Sequence, residues 1–409
     1  MPLVVQKYGG SSLATPELIK SVAGRIAAKQ SSGKVVATVS AMGNSTDDLL
    51  ELASGISNRP DPRELDVLLS TGELQSCALV SMALKALGMK AVSLSGAQAG
   101  IRTTASHGRA KIAGLDPARI EEELDRGNIV VVAGFQGITD EMDVTTLGRG
   151  ASDLTAVALA ASLKADRCEI YTDVDGIYTA DPRLVPKARR LNEIGFEEML
   201  ELASYGAKMN PRSIEFGMVY NVPILVASSF EDLPGTLIHE GADMNYSVGE
   251  MRNRVRGIAT EKNVAKITVY SVVDRPGIAA ALFEPLADAD ISVDIIVQNA
   301  GVLGSTDLTF TVAASDLDRS MEVVDKVAID LGTDKVGRSA GLAKVSIVGT
   351  GMQDAPGYAS RMFSALSEGG INIEMITTSE IRITCIVEED KVGVAARVLH
   401  DAFELEKED

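Results

Sequence analysis

Four short segments of the sequence combine glycines, hydroxyl groups and charged side chains at spacings that suit an anionic ligand. The first is QKYGGSS, in which Lys7 precedes Gly9, Gly10 and Ser11. Glycines let a backbone approach a ligand closely, and backbone N–H groups at a helix start attract anions. The chain contains neither GxxxxGK[ST] nor GxGxxG. A glycine turn with an incidental lysine is therefore the alternative to a phosphate-binding loop.

Two of the other segments place polar groups just before predicted helices. VSAMGNSTDDLL contains Ser40 at a strand end and Thr46 at a helix start, where helix capping is the simpler explanation. TTLGRGASDLTAVALAA contains Arg149 between two glycines, followed by Ser152 and Asp153. Asp153 could be no more than a favourable charge in a first helical turn. Arg149 is harder to dismiss, because a guanidinium group can grip a carboxylate or phosphate through two hydrogen bonds.

The fourth segment, IYTDVDGIYTADPRLVP, follows a predicted strand and carries Asp173, Asp175, Asp181 and Arg183. Turn formation explains some of these aspartates. In open α/β sheets, however, ligands bind beyond the carboxyl ends of the strands. Four such loops at strand ends are together more consistent with a nucleotide site than any one loop is alone.

The elements that must position these loops alternate between strand and helix over the first 230 residues. Strands are predicted at residues 3–6, 34–39, 129–133, 169–172 and 223–226, and helices at 16–30, 45–56, 74–87, 117–126, 153–163 and 196–205. This order predicts βαβ units around a mostly parallel sheet. Apolar runs such as NIVVVAG are typical of strands that are covered on both faces.

After a polar segment near residue 231 the sequence contains a duplicated unit. KITVYSVVDRPGIAAALFEPLADADISVDIIVQN resembles KVSIVGTGMQDAPGYASRMFSALSEGGINIEMITTS, and Pro276 and Ile291 recur as Pro356 and Ile371. Both pairs lie 80 residues apart (356 − 276 and 371 − 291), so the copies stay in register. Each copy predicts the order βαββα, with a final strand where room allows. A small antiparallel sheet with helices on one face satisfies that order.

Composition narrows the possible functions. The chain has 409 residues, enough for two to four domains, and a formal net charge of −18, which argues against nucleic acid as a partner. Cys77, Cys168 and Cys385 predict no disulfide framework, and the three histidines show no zinc-binding spacing. No signal sequence and no uncharged 18-residue apolar stretch occur, so we expect a reducing, cytoplasmic location.

The motifs KYGGSS, SAMGNSTDDL, LSTGE, AGFQG, TTLGRGASD, YTDVDGIYTADPR and the doubled Asp-x-Pro-Gly units occur in the order found in aspartate kinases. The resemblance covers essentially the whole chain. It implies an amino-acid kinase domain at residues 1–245, built as a three-layer α/β sandwich with a mostly parallel sheet. It also implies two α+β ferredoxin-like ACT modules, one at 265–336 and one at 255–264 plus 340–409. The family phosphorylates the side-chain carboxylate of aspartate with Mg-ATP, the first step toward lysine, threonine, methionine and diaminopimelate.

The resemblance also implies a role for individual residues. Lys7 and Asp153 would be catalytic, with Lys7 at the transferring phosphoryl group. The ATP-binding residues would be Lys7, Gly9, Gly10, Ser11, Ser40, Thr172, Asp173, Tyr178, Asp181, Arg183 and Lys208. The residues that bind aspartate would be Ser40, Thr46, Glu73, Arg149, Gly150 and Ser152.

Two of these assignments have simple alternatives. In addition, the segment TTLGRGASD differs from the family at one position. Glu73, expected at a helix start, could be a first-turn acid, and Lys208 could be a solvated surface lysine. The family commonly has RGGSD in the third loop, where this chain has Ala151 in place of a glycine. We expect Ala151 to adopt an ordinary negative φ, because a positive φ would be costly for alanine.

For the repeats the resemblance implies feedback control by a free amino acid, lysine, threonine or both. Its contacts would be Asp274, Gly277, Ile278, Gln298, Asn299 and Thr306 in the first copy, and Asp354, Asn372, Ile373, Ser379 and Glu380 in the second. A homodimer through the ACT modules is expected. A higher oligomer or an assembly with a shorter subunit starting at Met251 is an alternative.

Two other functions remain open from the sequence. One is a kinase of the same fold acting on glutamate derivatives, carbamate or a nucleotide. The other is an inactive amino-acid sensor, which the presence of Lys7, Arg149 and Asp153 disfavours.

Overall fold

The computed structural model describes residues 1–204, 209–241, 255–299, 304–333, 335–350, 352 and 356–407. The chain forms two compact units. The first contains Met1–Ile177 and Arg190–Val248, and the second contains Tyr178–Arg189 and Gly249–Asp409.

The described part of the first unit alternates strands and helices. Its strands are β1 (Leu3–Tyr8), β2 (Lys34–Val39), β3 (Ala91–Leu94), β4 (Ile101–Thr103), β5 (Ile112–Leu115), β6 (Ile129–Ala133), β7 (Gln136–Ile138), β8 (Val144–Thr146), β9 (Arg167–Thr172), β10 (Glu193–Ile194), β11 (Ile224–Ser228) and β12 (Thr236–Ile238). Its helices are α1 (Pro16–Gln30), α2 (Ser45–Ile56), α3 (Pro62–Ala86), α4 (Ala118–Asp125), α5 (Ser152–Ser162), α6 (Phe196–Ser204) and α7 (Pro211–Tyr220).

The main sheet of this unit has eight strands among the described residues, in the order β10-β12-β11-β9-β1-β2-β6-β3. Neighbours are parallel except β11 and β12. Side chains of α1 and α3 form one core with Tyr8 of β1 and with alternate residues of β2 and β6, and α5 packs against β1, β2 and β9. Successive strand residues point to opposite faces, so the sheet is covered on both sides. The predicted α/β sandwich with a mostly parallel sheet is confirmed.

A second, four-stranded sheet was not predicted from the sequence. Its order is β5-β4-β7-β8, and only β4 and β7 are parallel. The strands have three or four residues each, too few for an alternation of apolar and polar residues to stand out. This sheet matters for the site because β8 leads directly into the segment that carries Arg149.

Helix α3 begins twelve residues earlier than the sequence analysis predicted. Asp61 accepts hydrogen bonds from the backbone N–H groups of Arg63 and Glu64, and Pro62 occupies the first helical position, which is a common helix start. Glu73 therefore lies in the middle of α3, and its predicted place at a helix start was wrong. By length and composition α3 is the one described helix that could cross a membrane. It packs in the core against α1 and β3, however, and carries buried carboxylates.

The described residues of the second unit form an antiparallel sheet of six strands, in the order β14-β15-β13-β16-β18-β17. Its strands are β13 (Gly257–Val273), β14 (Ile296–Asn299), β15 (Ser305–Ala313), β16 (Val336–Val348), β17 (Met375–Thr378) and β18 (Arg382–Glu388). Its helices are α8 (Ile278–Asp288), α9 (Leu317–Asp330), α10 (Tyr358–Glu368) and α11 (Val392–Ala402). The two copies of the repeat thus share one sheet, with α8 and α9 in one core and α10 and α11 in another.

Strand β13 serves both copies. Residues 257–261 pair with Lys344–Val348 of β16, whereas most of residues 264–269 pair with β15 on one side and with residues 336–342 of β16 on the other. The glycine of each Asp-x-Pro-Gly unit precedes a helix with a left-handed φ, +90° at Gly277 and +113° at Gly357. Only glycine takes up such φ values at little cost, which explains why the turn recurs in both copies.

Segment Tyr178–Arg189 also belongs to the second unit. Ala180 and Val185 are buried in the same core as α10 and α11. The backbone of Thr179 forms hydrogen bonds with Arg189 and Ile258, and its hydroxyl lies 3.0 Å from Nε2 of the buried His400. The segment is therefore an integral part of that core.

Candidate active site

The first three loops singled out in the sequence and the start of the fourth lie at one edge of the eight-stranded sheet, within the first unit. This edge contains the carboxyl ends of β1, β2, β6 and β9, as expected for parallel strands. Backbone hydrogen bonds link the loops: the N–H of Ser40 donates to Tyr8 (3.1 Å), that of Gly43 to Gly10 (3.0 Å), and that of Gly134 to Val39 (3.0 Å). Three segments that are distant in the sequence are therefore held together.

Lys7 and Asp153 form the central ion pair of this edge. Lys7 Nζ lies 2.7 Å from Asp153 Oδ1, and the side chains are only 12% and 10% exposed. Lys7 points from β1 toward α5, whose first turn contains Asp153. The contact is an ion pair without a well-directed hydrogen bond to Oδ1. Because water is largely excluded, the ammonium group would interact strongly with an incoming anion.

The glycine turn after β1 is a short 3₁₀ segment, Gly10–Leu13, that precedes α1. A Cβ atom on Gly10 would lie 2.7 Å from the backbone oxygen of Ala41, whereas one on Gly9 would lie 3.5 Å from Lys7 Nζ. Gly10 is therefore required by packing between two loops, and Gly9 faces the ion pair. Ser12 is buried with its hydroxyl 2.6 Å from that of Ser229, while Ser11 is exposed.

Glu73 is a buried carboxylate that faces this edge from α3. Its Oε1 accepts a hydrogen bond from the N–H of Ala41 (3.1 Å), and Oε2 has no hydrogen-bond partner among the described residues. Burial raises the pKa of Glu73 to about 7, against the lowering effect of the Ala41 N–H group. The unpaired oxygen can accept a hydrogen bond from an ammonium group, and such a positive partner would favour the ionised form of Glu73.

Arg149 lies on the loop between β8 and α5. Gly148 and Gly150 on either side have φ of +92° and +73°, so the backbone bends sharply there. The side chain is 77% exposed, and Nη2 lies 3.0 Å from Asp47 Oδ1 on α2, next to Thr46. Ala151 has φ of −79°, which confirms the expectation that alanine is tolerated. Ser152 is buried at the start of α5.

The predicted nucleotide residues are divided between the two units. Thr172 ends β9 in the first unit and Asp173 follows it, and the hydroxyl of Thr172 donates to Asp173 (3.1 Å). Tyr178, Asp181 and Arg183 belong to the second unit. There Asp181 accepts hydrogen bonds from the backbone and side chain of Arg183, so turn formation accounts for part of its role. Lys208 lies outside the described residues, and the roles of all five others remain predictions.

The second unit contains an open cavity of about 610 Å³ at the first Asp-x-Pro-Gly turn. Its lining includes four of the six predicted effector residues of the first copy, Asp274, Gly277, Ile278 and Gln298. It also includes Arg275, Pro276, Ala279 and Ala280, which were not among the residues predicted from the sequence although they adjoin the motif. The two remaining residues lie nearby in the fold, since the hydroxyl of Thr306 donates to the backbone oxygen of Asn299.

The predicted residues of the second copy are less completely described. Asn372 donates to Glu374 (3.5 Å), and the N–H of Ser379 donates to Arg382 (2.8 Å). Ile373 packs against the core of α10 and α11, and Glu380 precedes β18. Asp354 lies outside the described residues.

At one sheet edge the first unit thus has the largely buried ammonium group of Lys7 and the glycine turn after β1. The carboxylate of Glu73 and the loop of Arg149 lie at the same edge. This combination is suited to phosphoryl transfer between a nucleotide and a small acceptor with charges of both signs. The unit thus has the fold and the site of a small-molecule kinase.

Comparison with known proteins agrees with this class. The sequence pattern of the amino acid kinase family matches residues 2–228, and that of the ACT domain matches residues 267–327 and 345–403. The aspartokinase of Corynebacterium glutamicum is 50% identical over 414 residues, covering 100% of this chain and 98% of that protein. Aspartokinase 2 of Bacillus subtilis is 47% identical over 409 residues, covering 100% and 99%.

Solved structures show the same likeness. Aspartokinase III of E. coli in complex with aspartate and ADP (R-state) is 27% identical, with a TM-score of 0.79 over 98% of this chain and 100% of that one. The aspartate kinase of Clostridium acetobutylicum is 25% identical, with a TM-score of 0.78 over 98% and 100%. The chain therefore belongs to the amino acid kinase family and, within it, to the aspartokinases. The resemblance noted in the sequence is confirmed.

Proposed function

We propose that the protein transfers the γ-phosphoryl group of ATP to the side-chain carboxylate of L-aspartate, giving 4-phospho-L-aspartate. This is the first step of lysine, threonine and methionine biosynthesis. The observation that carries the proposal is the Lys7–Asp153 pair at the sheet edge where Glu73 and the Arg149 loop are also held. The three buried free cysteines fit a reducing, cytoplasmic setting.

The residues suit this reaction because its nucleophile needs no activation. The side chain of aspartate is ionised at neutral pH, so no strong general base is required. The histidines are accordingly engaged elsewhere: His107 with Asp66, His239 with Glu193 and His400 with Thr179. The protein has mainly to position two anions and to neutralise the charge that develops between them.

Each group then has a role that follows from its surroundings. The ammonium group of Lys7 stabilises the transferring phosphoryl group, and Asp153 orients Lys7. Gly9, Gly10, Ser11 and Ser40 border the phosphates. Arg149 and Gly150 hold the α-carboxylate of aspartate, with Ser152 at the base of their loop. Glu73, with Thr46 nearby, receives the α-ammonium group.

We propose Mg²⁺ with the nucleotide. Among the described residues no group of three or more histidine, cysteine, aspartate or glutamate side chains could hold a metal ion. Mg²⁺ bound to ATP takes most of its ligands from phosphate and water and needs only one or two carboxylates. We propose that Asp153, in the first turn of α5 next to Lys7, supplies one such carboxylate. When bound, the ion would neutralise phosphate charge.

The experiment that tests the proposed function is an acceptor comparison. ATP-dependent hydroxamate formation is measured with aspartate, glutamate and N-acetylglutamate, and ADP release is measured with carbamate and a nucleoside monophosphate. We expect aspartate to be the preferred acceptor. Preference for another acceptor would refute the assignment, and the absence of turnover with all of them would favour the sensor. Replacing Lys7 by alanine should lower kcat at least about 100-fold, as for loss of one transition-state donor, with an unchanged circular dichroism spectrum.

We propose that a free amino acid, lysine, threonine or both, inhibits by binding in the cavity at Asp274 and Gln298. Another structure of E. coli aspartokinase III is a complex with lysine and aspartate (T-state), which supports this kind of control. Inhibition requires that the effector bind one state of the enzyme better than the other. Initial rates should be titrated with lysine and threonine, singly and together. Gln298→Ala should raise the half-inhibitory concentration about tenfold, the loss expected for one hydrogen bond to a charged group.

We also propose that the ACT modules mediate a homodimer. The outermost strands of their sheet, β14 and β17, expose Ile296 (51%) and Ile376 (45%), which stand at equivalent places in the two copies. An open edge with an exposed apolar residue favours pairing with a second copy. In sedimentation experiments the wild type should be a dimer, and Ile296→Lys should dissociate to monomer at a higher protein concentration than the wild type does. A higher oligomer, or a mixture with a shorter subunit starting at Met251, outside the described residues, would contradict the simple dimer.

A further inference from the structure

The first unit contains a second buried acid on α3, Asp66, which lies seven residues before Glu73 and is 1% exposed. Its carboxylate accepts hydrogen bonds from the N–H of Gly108 (3.0 and 3.1 Å to the two oxygens) and from the hydroxyl of Thr146 (2.6 Å). Nδ1 of His107 lies 3.0 Å away. We refer to Asp66, His107, Gly108 and Thr146 as the Asp66 cluster. An ionised carboxylate only accepts hydrogen bonds, and here donors surround it.

The Asp66 cluster lies directly before the loop that carries Arg149. Thr146 ends β8, and Arg149 follows three residues later. The N–H of Ala110 donates to the backbone oxygen of Thr146 (2.9 Å), so the 107–110 segment and the end of β8 are held as one piece. Arg212 on α7 completes it by donating to the backbone oxygens of Leu147 (2.7 Å) and Ala110 (3.2 Å).

The cluster therefore connects helix α3 to the loop of Arg149. Residues seven apart on a helix share a face, so Asp66 and Glu73 lie on the same side of α3, where Asp66 contacts Thr146 of β8 and Glu73 contacts Ala41 after β2. Glu73 and Arg149 are the groups proposed to hold the two ends of the α-amino acid part of aspartate. Their separation depends on how α3 sits against β8 and the segment that follows.

We infer that Asp66 is a positioning residue: through Gly108 and Thr146 it sets the spacing between Glu73 and Arg149, and with it the affinity for aspartate. This inference rests on the proposed function, because it assumes that those two residues bind aspartate. Asp66 itself contacts neither substrate nor nucleotide in this scheme. A purely structural role would instead lower stability without selecting one substrate over the other.

The strand β8 offers a matched pair of substitutions. Thr146→Val removes the hydroxyl that donates to Asp66 and keeps the shape of the side chain. Thr145→Val removes the neighbouring hydroxyl, which is equally buried but bonds to Thr103 on the opposite side of the strand. Each variant loses one buried hydrogen bond, and Thr146→Val should lose more thermal stability because its lost partner is a carboxylate rather than a hydroxyl group. Only Thr146→Val touches the cluster.

The measurement is the KM for aspartate and for ATP, with kcat, in the full-length protein. For Thr146→Val we expect the KM for aspartate to rise about tenfold, with kcat and the KM for ATP within about twofold, as for loss of ground-state binding of one substrate. Thr145→Val should leave all three within about twofold. Thr146→Ser keeps the donor and should restore the KM for aspartate. Asp66→Asn, which has one acceptor fewer, should raise it further.

The wild type separates this inference from the proposed function. If the wild type shows no aspartate-dependent turnover, the proposed function fails and the positioning role fails with it. If the wild type is active but Thr146→Val and Thr145→Val change the KM for aspartate equally, only the positioning role is refuted. An equal rise of both KM values in Thr146→Val, or no rescue by serine, would also refute it.

Discussion

At the scale of single residues, the site contains two buried carboxylates with different surroundings. Asp153 has the ammonium group of Lys7 at 2.7 Å, whereas Glu73 has one backbone N–H group and an unpaired oxygen. Desolvation therefore dominates at Glu73 and raises its pKa to about 7. The sequence predicted both acids by resemblance. It could not predict the burial of Glu73, because LSTGE is read as a helix start unless the Asp61-Pro62 start signal is recognised.

The pKa of Glu73 predicts a pH-dependent affinity for aspartate. Below pH 7 the carboxyl group of the free enzyme is mostly protonated and cannot pair with an ammonium group. From pH 6 to pH 8 the KM for aspartate should fall about tenfold, while that for ATP stays nearly constant. Initial-rate measurements across this range check the prediction. Glu73→Gln should give a high KM that does not vary with pH, and a wild-type KM that is flat would contradict the assignment.

The raised pKa of Glu73 also makes the stability of the folded protein depend on pH, and stability falls as the pH rises, whereas the affinity for aspartate increases. The pKa of Glu73 is raised from 4.5 to about 7 on folding, so the protonated form is the one that the folded state favours. Its contribution is complete below pH 4.5 and is lost as the pH rises through 7, in total about 3 kcal/mol. Glu73→Gln should reduce the loss of thermal stability between pH 5 and pH 7. If it does not, Glu73 is not the group responsible.

Removal of the Arg149 side chain should weaken the binding of aspartate but not that of ATP. It is exposed and pairs with Asp47 at the surface, so its removal should cost little stability. Arg149→Ala should raise the KM for aspartate about 100-fold, as expected when a charge-assisted pair is lost, and should leave that for ATP within about twofold. Steady-state kinetics distinguish the cases, and Asp47→Asn is the control for the surface pair. Equal rises for both substrates would contradict a carboxylate clamp.

At the scale of elements, sequence patterns predicted the long, regular pieces and missed those fixed by tertiary contacts. The buried strands β2, β6 and β9 and helices α1, α2 and α5 were predicted within a few residues, because their apolar pattern and boundaries are local. The four-stranded sheet was missed because its strands are very short. The assignment of Tyr178–Arg189 to the second unit could not be predicted either, since burial of Ala180 and Val185 depends on residues far along the chain.

The glycines of the first unit give an element-scale prediction. A Cβ on Gly10 would meet the backbone of Ala41 at 2.7 Å, whereas in the middle of α1 a Cβ on Gly24 would have nothing within 4 Å. Gly10→Ala should destabilise the protein by about 1–3 kcal/mol, since backbone must shift to relieve the overlap. Gly24→Ala should stabilise it by about 0.4–1 kcal/mol through higher helix propensity and a less flexible unfolded chain.

Thermal and urea unfolding of both variants measure these changes in stability, and kcat is measured for each variant. Gly10→Ala should also lose activity, because the displaced loops border the proposed phosphate site, while Gly24→Ala should keep it. If the two variants had equal stability, the close approach at Gly10 would not constrain the turn.

At the scale of the whole molecule, the duplication extends from motifs to ion pairs. Lys266 within β13 and Lys344 within β16 begin the matching segments KITVYS and KVSIVG, and Asp294 and Glu374 are equivalent positions 80 residues apart (374 − 294). The pairs cross between the copies: Lys266 Nζ lies 2.7 Å from Glu374, and Lys344 contacts Asp294. The sequence repeat predicted the two copies, but this exchange depends on β13 and β16 lying side by side.

The crossed pairs differ in burial, and this gives the last prediction. Lys344 is 7% exposed and has a second partner, Glu261, at 2.6 Å, whereas Lys266 is 19% exposed. Burial alone would lower the pKa of Lys344, but the two carboxylates together raise it. The acids are themselves 39% and 50% exposed. Water can therefore solvate the acids if the lysine is removed, but cannot equally solvate the lysine if the acids are removed.

Removing the acids should accordingly cost more than removing the lysine. Glu261→Gln with Asp294→Asn leaves a buried ammonium group without a carboxylate and should cost about 3–5 kcal/mol, whereas Lys344→Met should cost about 1–2 kcal/mol. Glu374→Gln, which affects the more exposed equivalent pair, is the control and should cost at most about 1 kcal/mol. Urea midpoints of the full-length variants, compared at constant m, give these differences. If Lys344→Met proved the most destabilising of the three, the carboxylates rather than the ammonium group would be the ions that depend on their partner, and the inference from burial would be wrong.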